Sequence, residues 1–324
     1  MRASFGEREP RNLVPRAPHR HRTHRARERR RGGPWGRLFP YPLPGTSVRA
    51  LPSFGARVLG YLSRDRSPNR CGHRAVPAQQ VEPFFPWLMR ETGATTFYMP
   101  SADYIWPRTL NKKVREVVTA RGGEIVGEEY FPLDHVDYKT MVADIMATGA
   151  DVVFNTIVPP GLTPFLAQLH DAGFTARGGK VVCTHFDENF LNLVPAEQVE
   201  GLYGCLDYYR AVQDAFSIEL LNRHEARYPG SAMFTAGSAC TGTYRALKMW
   251  ESAVNEAGSL KQHDVIAALD HARIPQGPGG PAEMVPGQHH VRMNMYIARS
   301  ENGTFKVVEN LGHIDPKECE VPLS

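Results

Sequence analysis

The chain has 324 residues, 42% of them hydrophobic and 22% charged, enough to fill one large core or two modest ones, which excludes wholesale disorder. No stretch approaches the run of about 20 apolar residues that a spanning helix needs, and 29 Gly with 26 Pro fall short of a collagen-like composition. The net charge of +4 hides a split: residues 1–66 hold 16 Arg, no Lys and 4 acids (+12), whereas the remainder holds 22 basic and 30 acidic residues (−8).

Residues 1–66 carry no apolar period of 3.6 or 2, and Pro and Gly recur through them, so the sequence predicts a disordered Arg/Pro-rich segment. Its arginines suit phosphate geometry and could serve as a nucleic-acid arm, but interleaved aromatics and an attached binding fold are missing, so a nucleic-acid partner is disfavoured. A frame-shifted N-terminus is the competing reading. No continuous apolar stretch of signal-peptide length occurs, and residues 51–62 are broken by Pro52, Gly55, Arg57 and Gly60. Five cysteines (71, 183, 205, 240, 319) are widely spaced without C-x-x-C pairing, which supports neither a zinc site nor a disulfide framework.

Regular periodicity begins near residue 94. A β-branched and aromatic run predicts a strand at 94–99. Pro107 suits a first helical turn, and Leu110, Val114, Val117 and Val118 continue that helix until Gly122 and Gly123. A strand at 124–131 follows, then a helix capped by Asp137 with a stripe of Met141, Ile145 and Met146, then an apolar strand at 150–158. The rhythm continues with a helix at 163–171, a strand at 180–183, a helical segment at 189–193 and a strand at 201–209. Uniformly apolar strands separated by helices predict an α/β fold with a doubly wound parallel sheet. Helices at 216–228, 241–257 and 264–272 then come without a strand between them and lack a sheet to cover. The tail from residue 274 is rich in Pro and Gly before strands at 290–298 and 304–308, joined by a hairpin turn at Asn302-Gly303.

Ligands of open parallel sheets bind beyond the carboxyl ends of the strands, where this chain places three unusual loops: 101–107, 158–161 and 184–188. Their aromatic faces, hydroxyls and free backbone N–H groups suit a small polar solute. Tyr104 and Trp106 could equally plug the edge of the sheet. An enzyme reading would use His185 with Asp187 and Glu188 as an acid/base group and Cys183 as nucleophile. Residues 183 and 185 lie two apart on an extended segment without an orienting partner, so no catalytic residue is assigned. Adjacent His289 and His290 on a strand point to opposite faces, so no metal site is assigned; no dinucleotide or P-loop glycine motif occurs, and no cofactor is expected.

The segments 101–108 (SADYIWPR), 121–131 (RGGEIVGEEYF) and 150–156 (ADVVFNT) resemble the type I periplasmic binding proteins, in the branch that takes urea and short-chain amides. Supporting segments are Ser67-Pro68-Asn69, Ala78-Gln79-Gln80, 250–259 (WESAVNEAGS) and 275–278 followed by His289-His290. Where the family usually has Ser-Asp-Tyr, this chain has Ala102-Asp103-Tyr104 after Ser101.

The resemblance implies a two-lobed, non-catalytic clamp on a small polar solute, either as the binding component of an ABC importer working with permease subunits or as an amide sensor. It implies solute contacts at Tyr104 and Trp106, with Ser101, Val158 and Thr184 beside them. Residues 67–209 would form most of lobe two, residues 210–273 a helical remnant of lobe one, and residues 274–324 strands returning to lobe two. Lobe one would be incomplete, through an N-terminal truncation or a shifted frame, and the chain would then bind urea or acetamide weakly or not at all. The family location is periplasmic, whereas the lack of a signal peptide in this chain points to retention in the cytoplasm.

Overall fold

The computed structural model describes residues 75–229 and 235–317. The expected disordered segment at residues 1–66 lies outside them.

The first helix, α1 (Pro77–Thr92), belongs to a stretch in which the sequence signals no element, because Pro83 and Pro86 stand inside it. An interior proline costs a helix about 3 kcal/mol. Burial of Val81, Phe84, Phe85 and Leu88 outweighs the two, at about 1.5–3 kcal/mol per side chain. The helix entry is fixed by two glutamines. Gln79 Oε1 accepts from Val76 N at 3.1 Å, while its Nε2 donates to Val291 O (3.0 Å) and Ile314 O (2.8 Å). Gln80 Nε2 donates to Thr184 O (2.7 Å) and Cys205 O (3.0 Å).

Then follow β1 (Thr96–Ala102), α2 (Ile105–Thr119), β2 (Glu124–Phe131), α3 (Lys139–Thr148), β3 (Val152–Phe154), α4 (Leu162–Asp171), β4 (Lys180–Val182), α5 (Glu188–Leu191) and β5 (Tyr203–Leu206). These strands pair in parallel in the order β2-β1-β3-β4-β5, with Phe97 opposite Val152, Val152 opposite Lys180 and Val182 opposite Tyr203. The expected strand at 150–158 is shorter than its apolar run because Asn155 Oδ1 accepts from Ile157 N (2.9 Å) and turns the chain. The helix expected to be capped by Asp137 starts one residue later. Tyr138 is its N-cap, with its N–H donating to Gln168 Oε1 at 2.7 Å.

Beyond β5 lie α6 (Ala215–Arg227), α7 (Ser238–Ala257), α8 (Gln262–Leu269), β6 (Arg273–Ile274), β7 (Ala282–Val285), β8 (His290–Glu301) and β9 (Thr304–Ile314). The sheet is therefore mixed: β8 pairs antiparallel with β5 through Tyr296 to Arg299, with β7 through His290 to Met293, and with β9 along its other edge. The parallel order expected for the strands of residues 94–209 holds, and the antiparallel strands extend it. One expectation is corrected: the late helices do have strands to cover. Met249 and Ala253 of α7 and Val265 and Leu269 of α8 join one core cluster with Ile274, Ala282 and Met284 of β6 and β7. Those short strands hide in a Pro/Gly-rich run whose alternation is too brief to read. The hairpin at Asn302-Gly303 forms as expected, both residues taking positive φ (51° and 73°).

Each face of the sheet carries its own core. One combines α1, α2, α7 and α8 with residues such as Phe97, Phe154 and Cys205; the other combines α3, α4 and the segment around Phe186 with Val153, Cys183 and Tyr209.

Candidate functional site

At the carboxyl edge of the sheet the three expected loops come together in space. Ser101 ends β1 and bridges to Thr156 beyond β3; Thr156 Oγ1 donates to Ser101 Oγ at 2.9 Å, and Asn111 Nδ2 of α2 donates to the same oxygen at 2.8 Å. Asn111 Nδ2 also reaches Glu128 Oε1 (3.1 Å) and the Tyr130 hydroxyl (3.2 Å), tying this end of β1 to β2. Arg108, paired with Asp103 at 2.7 Å, stacks over the Tyr130 ring at 4.1 Å.

Tyr104 is the extended N-cap of α2, half-buried, with its ring 5.8 Å from that of Trp106. Burial raises the Tyr104 phenol above its ordinary range, so it stays protonated at neutral pH. Trp106 is only 2% exposed and stands edge-on to His185 at 5.0 Å. Val158 and Thr184 are also buried, Val158 within the apolar core. All five expected contact residues therefore lie on one edge of the sheet, Tyr104 being the one with the most exposed surface.

Cys183 and His185 are closer than the sequence suggests, Sγ to Nδ1 at 3.3 Å, with Asn155 Nδ2 3.7 Å from the sulfur. Burial pushes the thiol up to about 12 and the imidazole down to about 4. At neutral pH the pair is thiol and neutral imidazole, without the thiolate that nucleophilic catalysis needs. Among the described residues no group of three or more His, Cys, Asp or Glu could hold a metal ion. His289 sits in a turn at φ 52°, and His290 Nδ1 lies 2.8 Å from Gln288 O.

Sequence reasoning missed several residues at this edge. Gln80 spans the ends of β4 and β5, and its Oε1 is buried without a partner among the described residues; Asn111 Oδ1 and Thr184 Oγ1 are left in the same condition. Asp207, one residue past β5, accepts from Arg245 Nη1 of α7 at 2.7 Å, an ion pair with both side chains buried. The available signals were the tandem glutamine opening an amphipathic run and an arginine on the apolar stripe of a helix. Cavities also lie elsewhere among the described residues. One of about 700 Å³ lies between α7, the turn after α8 and β7, bordered by Glu256, His271 and Arg292, and one of about 260 Å³ lies at the opposite ends of β1, β3 and β4.

A doubly wound parallel unit continued by an antiparallel strand, with aromatic and hydroxyl groups gathered at its carboxyl edge, is the architecture of a type I periplasmic binding protein. The family model described as "Periplasmic binding protein domain" matches residues 61–320, and the chain belongs to that family. Among solved structures, the fold is similar to a solute-binding protein of an ABC transporter from R. palustris in complex with 4-hydroxybenzoate (18% identity, 78% of this chain and 69% of that one, TM-score 0.68). It is likewise similar to a leucine-binding protein from Thermotoga maritima (14% identity, 77% and 69%, TM-score 0.68). An amino acid ABC transporter substrate-binding protein from Pseudomonas fluorescens also matches (17% identity, 78% and 68%, TM-score 0.66).

Proposed function

We propose that this chain is the solute-binding component of an ABC-type importer working with permease subunits in the periplasm. It takes urea, a short-chain amide or a similar small N–H-rich solute and performs no chemistry on it. Family membership supports the binding role, and the neutral Cys183–His185 pair supports the absence of catalysis.

One observation carries the choice of solute. The unpaired buried groups at the carboxyl edge are acceptors or hydroxyls, namely Gln80 Oε1, Asn111 Oδ1 and Thr184 Oγ1. The buried guanidinium of Arg245 is already spent on Asp207. A benzoate, as bound by the R. palustris protein, brings a carboxylate that asks for donors or a cation. Urea and amides bring N–H groups that can donate to the unpaired oxygens of Gln80, Asn111 and Thr184. These acceptors are covered in this conformation, so a solute reaches them when the loop carrying Tyr104 and Trp106 moves aside. In this reading Tyr104 and Trp106 supply apolar faces, while Ser101, Val158 and Thr184 set the floor.

Nuclear magnetic resonance titration tests the reading. Urea and acetamide should shift the amide signals of residues 101–106 and 184 at lower concentration than benzoate or leucine. Tighter binding of benzoate or leucine at those signals overturns the solute assignment.

A further inference from the structure

The junction of α5, the end of β5 and the helices α6 and α7 gathers more acid than base. Asp187 N-caps α5 through Asn189 N (3.0 Å) and also accepts from Ser238 N at the start of α7 (3.1 Å). Asp207 accepts from Ser238 Oγ (2.9 Å) as well as from Arg245. Asp214 caps α6 through Ser217 N (2.8 Å), and Ser217 Oγ in turn accepts from Gly279 N (3.0 Å). Glu188 completes the set: its Oε1 accepts from Arg210 N (2.7 Å), while Oε2 is buried with no partner among the described residues.

Four carboxylates thus gather at this junction, where the buried guanidinium of Arg245 pairs with Asp207. The Arg210 side chain, half-exposed and paired with Glu225 (2.5 Å), offsets the Glu188 charge only in part. The other titratable groups around Glu188 add no positive charge. They are Asp187 on its own turn, the buried hydroxyls of Tyr208 and Tyr209 from the segment after β5, without a partner among the described residues, and Asp214 leading into α6 and Cys240 of α7, both near Tyr208. A buried carboxylate oxygen that no donor covers is costly when charged, and a proton removes that cost.

We propose that Glu188 is a proton latch: with a proton taken from solvent it holds α6 and α7 tight against the parallel sheet, and losing that proton loosens the junction. Burial, with the Asp187 charge adding to it, pushes the Glu188 carboxyl up to about 7. A group raised in the folded state gives its stabilisation fully below its ordinary value and loses it as pH rises through the folded value. The latch therefore opens between about pH 5 and 8, whichever solute the protein takes.

Hydrogen exchange of the full chain, corrected for the intrinsic pH dependence of exchange, tests this. For a single titrating group, linkage gives an expected rise of about tenfold in opening of α6 and the first turns of α7 from pH 6 to 8. In Glu188→Gln, whose amide is neutral throughout, the opening should be flat with pH. On the native chain, the infrared band of a protonated glutamic acid should fade over the same window, a readout that does not require the variant to fold. Flat exchange in the native chain, an unchanged pH response in Glu188→Gln, or no protonated carboxyl band at pH 6 would each overturn the proposal.

Discussion

The parallel unit built from β1 to β5 and the helical unit built from α6 to α8 are held together in different ways. In the first, Phe85, Phe97, Val153, Phe154 and Phe165 are fully buried and the strands inside the edge strand β2 are covered on both faces. In the second, α6 buries only Ser217 and Leu221, while Ile218, Leu247 and Leu260 remain at least 40% exposed. Apolar area fixes the parallel unit and, through Met249, Ala253, Val265 and Leu269, the later turns of α7 and the whole of α8; capping carboxylates and one ion pair fix α6 and the first turns of α7. A region held by directional polar contacts is one that charge can regulate, whereas a close-packed core is not.

Several substitutions would break or sharpen this contrast. The largest expected effect is Phe85→Ala, which empties a fully buried site against Phe97 and Phe154 and should cost about 3–5 kcal/mol by denaturant unfolding. Arg245→Met strands Asp207 as an uncompensated buried charge and should also cost about 3–5 kcal/mol, with the loss recovered in part by adding Asp207→Leu. The double variant separates a charge effect from a packing effect.

His185 provides an acid-side test. Its imidazole is depressed to about 4 by burial, so the stability it contributes is present above its ordinary value near 6.5 and lost as pH falls toward 4. Unfolding free energy should drop by roughly 3 kcal/mol across that interval and much less in His185→Phe. This slope is opposite in sign to that of Glu188, so removing either group exposes the other. Gln80→Ala deletes two hydrogen bonds to strand-end carbonyls and should cost about 2 kcal/mol. The smallest effect belongs to the exposed face of α7, where Leu247→Gln should change stability by no more than about 0.5 kcal/mol.

The parallel unit was legible because strand burial on both faces writes itself as continuous apolar runs, as in 150–158 and 180–183, and because Gly and Pro mark the turns. Helix α1 was illegible because the sequence shows two interior prolines but not the core that compensates them. Strands β6 and β7 were illegible because two and four residues are too few to display a period. At the candidate site, sequence could name the edge, through Tyr104, Trp106 and Thr184, but not the buried acceptors behind it. The tandem glutamines were visible in the sequence, yet what Gln80 bonds lies more than 100 residues away.

Local pattern by itself determined the strands and helices from β1 to β5, the α/β class and the loops that share one edge, since these depend on propensity and period over a few residues. Only the tertiary structure decided the antiparallel continuation of the sheet through β8, the covering of α7 and α8 by β6 and β7, and the gathering of Asp187, Glu188, Asp207 and Asp214 where α5 and β5 meet α6 and α7. Those features depend on desolvation and charge proximity between segments distant in the chain, and neither quantity exists until the chain has packed.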